Sequence, residues 1–347
     1  MERPQPSPGK SPIGKRKAVS TRQDFSMVKV EQLFPEQPLP LLIRPAVPGL
    51  DLIAWASQNK DALQQLLLQH GGLLLRNFPV ETVAQFEQLM IAITEKQVDY
   101  QERTSPRTQV SGTIYTSTDY PAGETILLHN EQSYAITWPL KVAFYCLIPP
   151  EQGGETPIAD CRKVLQHIAP EIRERFLRKK YMYVRNFHER LGLSWQVAFQ
   201  TSERAAIESY CREHAIEYEW LAGNQLRTRQ VRPAIVNHPL TGEQVWFNHI
   251  AFFHSSLLVP HSREYLLKEF GEQDLPNNTY YGDGSPIEPE VVHQIHQAYE
   301  QETIRFPWQR TDVLLLDNIL TAHGRAPFSG PRKILVNIAD PYNSHSA

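Results

Sequence analysis

Hydrophobic and polar positions alternate along the chain in patterns that predict helices and buried strands in turn. Between residues 50 and 70 the apolar positions recur at helical spacing, and the two glycines that follow predict the end of that helix. The run 72–78 (GLLLRNF) is short and apolar, which is typical of a buried strand. A second amphipathic helix is predicted over 81–95, where apolar residues again recur at helical spacing.

The remainder of the chain predicts further helices and strands. The run 141–148 (KVAFYCLI) ends at two prolines and predicts an internal strand. The other predicted elements are helices over 161–180, over 203–214 with Ser202 as N-cap, and over 289–302 with Pro289 in the first turn, and strands over 312–317 and 333–339. Residues 1–24 lack hydrophobic periodicity, so we expect a flexible N-terminal tail followed by one domain over 25–347.

Composition narrows the class of protein. The chain has 347 residues, of which 41% are hydrophobic and 21% charged, as in folded soluble proteins. Its net charge of −3 lacks the basic excess of a nucleic-acid binder, and three widely spaced cysteines supply neither a disulfide framework nor a Cys-x-x-Cys zinc site. No apolar run is long enough for a signal peptide or a membrane span. We therefore expect a cytoplasmic protein without a nucleic-acid or membrane partner.

Candidate chemistry lies in the segment ILLHNE, which contains His129 and Glu131. In an extended backbone, side chains two residues apart project from the same face, so both can bind one metal ion. His323 follows the predicted strand DVLLLDN, whose end we expect to direct this imidazole toward a barrel mouth. Two histidines and one carboxylate on one face of an ion leave the opposite face open, as in non-haem Fe(II) oxygenases.

Arg332 extends this candidate site. It lies nine residues beyond His323, across the segment GRAPFSGP, whose glycines and prolines predict a loop between antiparallel strands. Such a hairpin returns Arg332 to the neighbourhood of the histidine. A planar guanidinium suits a carboxylate, so Arg332 is a candidate anchor for the distal carboxylate of a keto-acid cosubstrate.

Longer motifs carry a resemblance over about residues 25–340. The His129-x-Glu131 pair, the segment GGET at 153–156 and the segment LLLDNILTAHGRAPFSGPRKILV resemble the taurine dioxygenase (TauD/TfdA) family of Fe(II)/2-oxoglutarate oxygenases. Within that family the sequence is most similar to SyrP-like hydroxylases associated with nonribosomal peptide synthesis. The segments HNEQSYAITWPLKVAFYC, GGETPIADCRKV and NNTYYGDGSPIEP carry this closer similarity.

The resemblance implies a mainly β fold with flanking helices, built on a double-stranded β-helix, or jelly roll. It assigns His129, Glu131 and His323 to Fe(II), and Arg332 and Thr156 to the distal carboxylate of 2-oxoglutarate. The implied reaction consumes dioxygen and hydroxylates an amino acid at its β-carbon, with the amino acid carried on a peptidyl carrier protein. Halogenating relatives replace the carboxylate ligand with a small residue, so the presence of Glu131 argues against halogenation.

Residues that recognise the substrate are harder to identify. An acidic amino acid such as aspartate needs a cationic partner, and pocket walls combine polar with aromatic groups. The candidates on these grounds are Arg107, Arg185, Arg232, Asn248, His249 and Trp195. His249 and His254 are further conceivable metal ligands, although neither has a carboxylate two residues away. Asp317 and Asn318 are candidates to orient the ligating imidazoles through hydrogen bonds.

Three alternatives remain open at this point. A zinc hydrolase can use two histidines and a glutamate, but its usual HExxH signal is absent. A non-catalytic module that binds a carrier protein could retain the fold. The third alternative keeps iron and 2-oxoglutarate but desaturates, epimerises or cyclises a free small molecule, because the outcome depends on where the substrate carbon lies.

Overall fold

The computed structural model describes residues 25–98, 102–104, 107–117, 120–188 and 191–344. The tail predicted over 1–24 lies outside the described residues. The strands are β1 (Val28–Phe34), β2 (Gln37–Pro45), β3 (Gly72–Leu75), β4 (Gln109–Ser111), β5 (Ile114–Thr116), β6 (Ile126–His129), β7 (Thr137–Ile148), β8 (Gln152–Gly153), β9 (Ile158–Asp160), β10 (Tyr181–Phe187), β11 (Glu217–Trp220), β12 (Leu226–Arg232), β13 (Ile235–Asn237), β14 (Gln244–Trp246), β15 (Asn277–Tyr281), β16 (Val313–Asp317), β17 (Thr321–Arg325), β18 (Phe328–Ser329) and β19 (Lys333–Asn343).

The α-helices lie between these strands and cover the sheets. They are α1 (Leu52–Gln58), α2 (Lys60–His70), α3 (Val83–Ile93), α4 (Cys161–His167), α5 (Pro170–Lys179), α6 (Trp195–Phe199), α7 (Arg204–Glu213), α8 (Ile250–Phe253), α9 (Pro260–Phe270) and α10 (Pro289–Glu302). No helix within the described residues is both long and apolar enough to cross a membrane.

Two sheets form the centre of the molecule. The larger has the order β1-β2-β3-β16-β7-β19-β5-β4, and the smaller has the order β6-β17-β9. They pack face to face: Ile158 of the smaller sheet belongs to the same buried cluster as Leu314 and Val336 of the larger one. The ring of Phe144 in β7 lies 5.0 Å from that of His323 in β17. The predicted mainly β fold with a jelly-roll core is therefore confirmed.

Strand β7 shows why its sequence is almost continuously apolar. Val142 and Phe144 face the cluster between the two sheets, whereas Ala143 and Tyr145 face a second cluster beneath the helices. Successive side chains of a strand point to opposite faces, so a strand buried on both faces needs apolar residues at every position. The Tyr145 ring stacks on Phe86 of α3 at 5.1 Å between ring centroids.

Several predicted helices begin or end elsewhere than expected. The helix expected over 50–70 is two helices, because the main-chain and side-chain amides of Asn59 both donate to carbonyls at the end of α1. The helix expected over 161–180 breaks before Pro170, since proline disfavours a helical conformation in the residue that precedes it. The prediction of Ser202 as an N-cap is wrong: Glu203 holds that position, without a side-chain hydrogen bond.

Other predicted elements agree with the structure. The helix end predicted before the two glycines is observed at His70. Gly71 follows with a left-handed φ of 78°, a conformation that favours glycine. Helix α10 covers residues 289–302 with Pro289 in its first turn, as predicted. The strands predicted over 141–148 and 333–339 are longer than expected, because β7 and β19 continue to pair as far as Thr137 and Asn343.

Candidate metal and cosubstrate site

Two paired strands bring the candidate metal ligands together. Strand β6 ends at His129, and β17 contains His323, directly opposite His129 in the register of the two strands. The expectation that Glu131 projects from the same extended strand is wrong, since β6 ends before it and Glu131 lies in the following turn. Gln132 has a φ of 55°, so the chain reverses here. The turn, not strand alternation, directs this carboxylate to the two imidazoles.

The three side chains converge tightly. One donor atom from each of His129, Glu131 and His323 lies within 4.8 Å of the other two, and all three residues are buried. His323 Nε2 is 3.8 Å from Glu131 Oε2. Among the described residues, no other group of three histidine, cysteine or acidic side chains converges in this way, and neither His249 nor His254 joins this one.

The protonation states of these three side chains are those that bind a metal ion. His129 Nδ1 donates to the Leu127 carbonyl at 2.8 Å, which leaves the Nε2 lone pair free for coordination. Burial, reinforced by the neighbouring His323, lowers the pKa of His129 to about 3, so its ring is neutral. Burial alone raises the pKa of Glu131, but Arg107 at 3.0 Å and the two histidines hold that pKa below its usual range. Neutral imidazoles and an ionised carboxylate fit Fe(II).

Asn318 holds the main chain of Glu131. Its Oδ1 accepts from the Glu131 amide at 2.7 Å, and its Nδ2 donates to the carbonyls of Glu131 and Pro139 at 2.9 and 2.8 Å. The expectation that Asn318 and Asp317 orient the imidazoles is wrong, since Asp317 pairs with His238 and with main-chain amides of its own turn. The turn between β16 and β17 thus supports the carboxylate ligand, through a contact that spans 187 residues.

The predicted cosubstrate residues line the same cavity as the metal ligands. Arg332 Nε donates to the Gly154 carbonyl at 2.9 Å, and Nη1 lies 3.4 Å from Ser117 Oγ. Thr156 is buried, and its Oγ1 accepts from Trp308 Nε1 at 3.3 Å. Burial lowers the pKa of Arg332 to about 10, so the guanidinium remains charged at neutral pH. A partly buried cation and a hydroxyl together suit a carboxylate.

Arg107 and Arg325 add two more guanidinium groups to the lining of this cavity. Arg107 was a substrate candidate from the sequence, and it pairs with the metal-site carboxylate Glu131. Arg325 was missed. It lies two residues beyond His323 in the HGR segment, and that proximity was the one signal in the sequence that pointed to it.

The other substrate candidates are distributed unevenly. His249 lies beside the site, with its ring 5.3 Å from His129 and Nδ1 2.6 Å from Ser133 Oγ. The remaining four do not line the cavity. Instead, each of these side chains donates hydrogen bonds to main-chain carbonyl groups. Asn248 donates to Ala234, Arg185 donates to Arg103, and Trp195 donates to Asn224. Arg232 donates to Tyr134 and to His214.

Taken together, the jelly roll, the two histidines with a carboxylate, and the adjoining arginine and threonine define a dioxygenase of the class that uses Fe(II), 2-oxoglutarate and dioxygen. The chain belongs to the TauD/TfdA family, described as "Taurine catabolism dioxygenase TauD, TfdA family", which matches residues 36–338. Membership of a dioxygenase family favours this class over the zinc hydrolase and the non-catalytic module.

Individual proteins resemble this chain in sequence or in fold. The chain is 42% identical to the dapdiamide synthesis protein DdaC of Enterobacter agglomerans, over 80% of this chain and 85% of that protein. It is 29% identical to a clavaminate synthase-like protein of Arabidopsis thaliana, over 90% and 98% of the two chains. The crystal structure of PvcB from Pseudomonas aeruginosa has the same fold, with a TM-score of 0.55, 17% identity and 94% of each chain covered.

Proposed function

We propose that this protein is a hydroxylase that inserts one oxygen atom into an unactivated C–H bond of an amino acid, at its β-carbon. The amino acid is tethered to a peptidyl carrier protein during nonribosomal peptide biosynthesis. The observation that carries this proposal is the convergence of His129, Glu131 and His323 within 4.8 Å, in one cavity with Arg332 and Thr156. The similarity to DdaC, named for dapdiamide synthesis, supports the tailoring of an amino acid in a biosynthetic pathway.

Each side chain has a distinct task in this proposal. His129 and His323 supply neutral nitrogen donors and Glu131 supplies the anionic oxygen for Fe(II). Arg332 and Thr156 bind the distal carboxylate of 2-oxoglutarate, which orients its keto-acid end toward the metal. Bound iron and 2-oxoglutarate supply the oxidising chemistry, so the protein's contribution is to position the target carbon and exclude competing reactions.

Arg107 is the substrate candidate that this cavity contains. Its side chain is 8% exposed and pairs with Glu131 at 3.0 Å. A metal ion on Glu131 would share that negative charge, which leaves Arg107 able to attract an acidic group of the substrate. His249, which Ser133 holds through a hydrogen bond, offers a second polar group beside His129.

Intact mass spectrometry of aminoacyl carrier proteins tests the proposal. The full chain is incubated with Fe(II), 2-oxoglutarate, dioxygen and carrier proteins loaded with aspartate, asparagine or a neutral amino acid, and succinate is measured in parallel. We expect a gain of one oxygen atom on an acidic aminoacyl group, together with succinate. Oxidation of the free amino acids alone would overturn the tethering, and a loss of two hydrogens would show desaturation or cyclisation instead.

A matched pair of variants links this activity to the site. His129→Asn removes a proposed ligand, whereas His254→Asn replaces a second buried histidine outside the cluster. The first variant should lose succinate formation and the second should retain it. Wild-type turnover in His129→Asn, or no succinate from the wild-type protein with any substrate, would overturn the assignment.

A further inference from the structure

Arg325 is a buried cation that forms no ion pair within the part of the chain that the structure describes. The residue is 5% exposed and lines the cavity of the metal site at the end of β17. Its Nη1 donates to the Tyr120 carbonyl at 2.8 Å, and its Nη2 donates to the carbonyls of Pro121 and Glu124 at 2.6 and 2.7 Å. Its Nε is buried without a hydrogen-bond partner. Within the described residues, no carboxylate lies at ion-pair distance from it.

Such an arrangement is costly for the folded protein. Removing a guanidinium from water is strongly unfavourable, and carbonyl groups offset that cost only in part. Arg76 shows the usual solution in this same chain, because its buried guanidinium pairs with both oxygens of the Asp312 carboxylate at 2.9 and 2.7 Å. Among the described residues Arg325 has no such partner, which leaves its charge available to an anion from outside the protein.

A second cation lies next to Arg325. The guanidinium carbons of Arg325 and Arg332 lie 5.2 and 5.4 Å from the centre of the same Phe328 ring. The charge on Arg325 adds to burial in lowering the pKa of Arg332. Their two like charges repel each other, and an anion bound beside them would relieve the repulsion.

The charges that line the cavity do not balance. Three guanidinium groups, from Arg107, Arg325 and Arg332, line it with a single carboxylate, that of Glu131. Arg107 already pairs with this carboxylate. The excess of two positive charges therefore falls on the Arg325 and Arg332 side of the cavity.

We propose that Arg325 is a second determinant of cosubstrate recognition, whose charge acts with that of Arg332 to select a dicarboxylic 2-oxo acid over a monocarboxylic one. This inference rests on the proposed function, since the keto-acid end must bind at the metal. Arg325 also fixes the segment 120–124 through its three carbonyl contacts. A purely structural clamp would change the affinity for both kinds of acid equally, so the ratio of affinities separates the two roles.

Isothermal titration calorimetry of the full chain loaded with Mn(II) measures that ratio without turnover. The two ligands are 2-oxoglutarate and 2-oxopentanoate, which carries a methyl group in place of the distal carboxylate. We expect Arg325→Met to reduce the preference for 2-oxoglutarate by tenfold or more, which corresponds to about 1.4 kcal/mol, because the variant removes a unit charge that attracts the distal carboxylate. Arg76→Met, which removes a buried guanidinium outside the cavity, should lower stability and leave the preference unchanged.

Arg325→Lys is the complementary test, because it keeps the positive charge and removes the contacts of the guanidinium with the carbonyls. Lysine retains the positive charge but lacks the planar fork that binds three carbonyls, so the variant should lose stability and keep most of the preference. The inference would be overturned if Arg325→Met kept the preference within twofold of wild type, or if Arg325→Met and Arg325→Lys lost it equally. Either result would leave the proposed function standing. Failure of the wild-type protein to bind 2-oxoglutarate would overturn the proposed function with it.

Discussion

At the scale of single residues, the two ends of the cavity differ in charge. At one end the Glu131 carboxylate lies 3.8 Å from His323 Nε2 and 3.0 Å from Arg107, in a position that suits a metal cation. At the other end Arg332 and Arg325 supply positive charge, and neither forms an ion pair with a described carboxylate. A ligand that is both a metal chelator and a carboxylate at its far end complements this arrangement.

Substitution of the proposed cosubstrate residues should weaken 2-oxoglutarate binding more than it lowers the stability of the fold. Arg332→Met removes a charge-assisted hydrogen-bond donor, and such contacts contribute roughly 1.5 to 3 kcal/mol, or about ten- to a hundredfold in affinity. Thr156→Val removes a neutral hydroxyl and should cost roughly tenfold or less. The concentration of 2-oxoglutarate that gives half-maximal succinate formation measures both effects. Equal effects of the two variants, or none, would mean that the carboxylate binds elsewhere.

The residues that the sequence singled out and those it missed differ in a physical way. His129, Glu131, His323 and Arg332 belong to motifs whose residue types and spacing indicate metal and carboxylate binding. The significance of Arg325 depends on its burial and on the lack of an ion pair with any described carboxylate, and neither property can be read from sequence. For the same reason the sequence could not separate Arg107, which reaches the cavity, from Arg185 and Arg232, which do not.

At the scale of secondary structure, the site depends on how β6 and β17 are joined. Their pairing places His129 opposite His323, and the turn before β17 holds the Glu131 main chain through Asn318. This amide makes the contacts that a neighbouring strand would make, at a point where β6 has already ended. The position of the candidate carboxylate ligand therefore depends on a residue outside the group of three candidate ligands.

Asn318→Ala should weaken metal binding through the loss of these contacts. Supporting residues of this kind typically cost ten- to a hundredfold in metal affinity when removed, and we expect a change of that order. Titration with Co(II) of the variant and the wild-type protein measures it.

A control for Asn318→Ala is Asn337→Ala, which removes another fully buried amide that binds Gln97 and Thr113 and no metal ligand. Both variants should lower the melting temperature, but only Asn318→Ala should raise the metal dissociation constant. If the two variants bind Co(II) equally well, Asn318 has a purely structural role.

Helix boundaries show the limit of periodicity as a guide. The pattern over 161–180 is helical throughout, yet Pro170 divides it because a local conformational restriction outweighs the repeat of apolar positions. The division at Asn59 arises because this residue caps one helix with its own amides. In contrast, α10 begins with a proline in its first turn and was predicted over its full length.

At the scale of the whole molecule, buried neutral histidines should make stability depend on pH. His254 is 6% exposed, its Nδ1 accepts from the Ser256 amide at 3.1 Å, and burial lowers its pKa to about 4. Below pH 6.5 the unfolded chain takes up a proton at this residue, whereas the folded chain does not until about pH 4. The unfolded state then binds more protons, so this contribution to stability falls as the pH falls between these two values.

Urea denaturation between pH 7.5 and pH 4.5 tests this dependence. For one histidine the loss reaches about 2.5 kcal/mol at the acidic end, by linkage. His254→Asn keeps an acceptor for the Ser256 amide but has no group that titrates, so its unfolding free energy should vary less with pH than that of the wild-type protein. An identical pH dependence in both proteins would show that His254 does not carry this effect.

The sequence by itself determined the position of several helices and four strands and the identity of the candidate ligands, and its longer motifs indicated the family and with it the mainly β class. These signals are local, because periodicity, proline, glycine and short motifs act over a few neighbouring residues. Only the tertiary structure decided that Glu131 reaches the histidines from a turn, that Asn318 supports it, and that Arg325 and Arg332 share one end of the cavity. Those properties depend on burial and on contacts between residues far apart in the chain, such as Glu131 and Asn318, which are separated by 187 positions. No local pattern encodes such contacts.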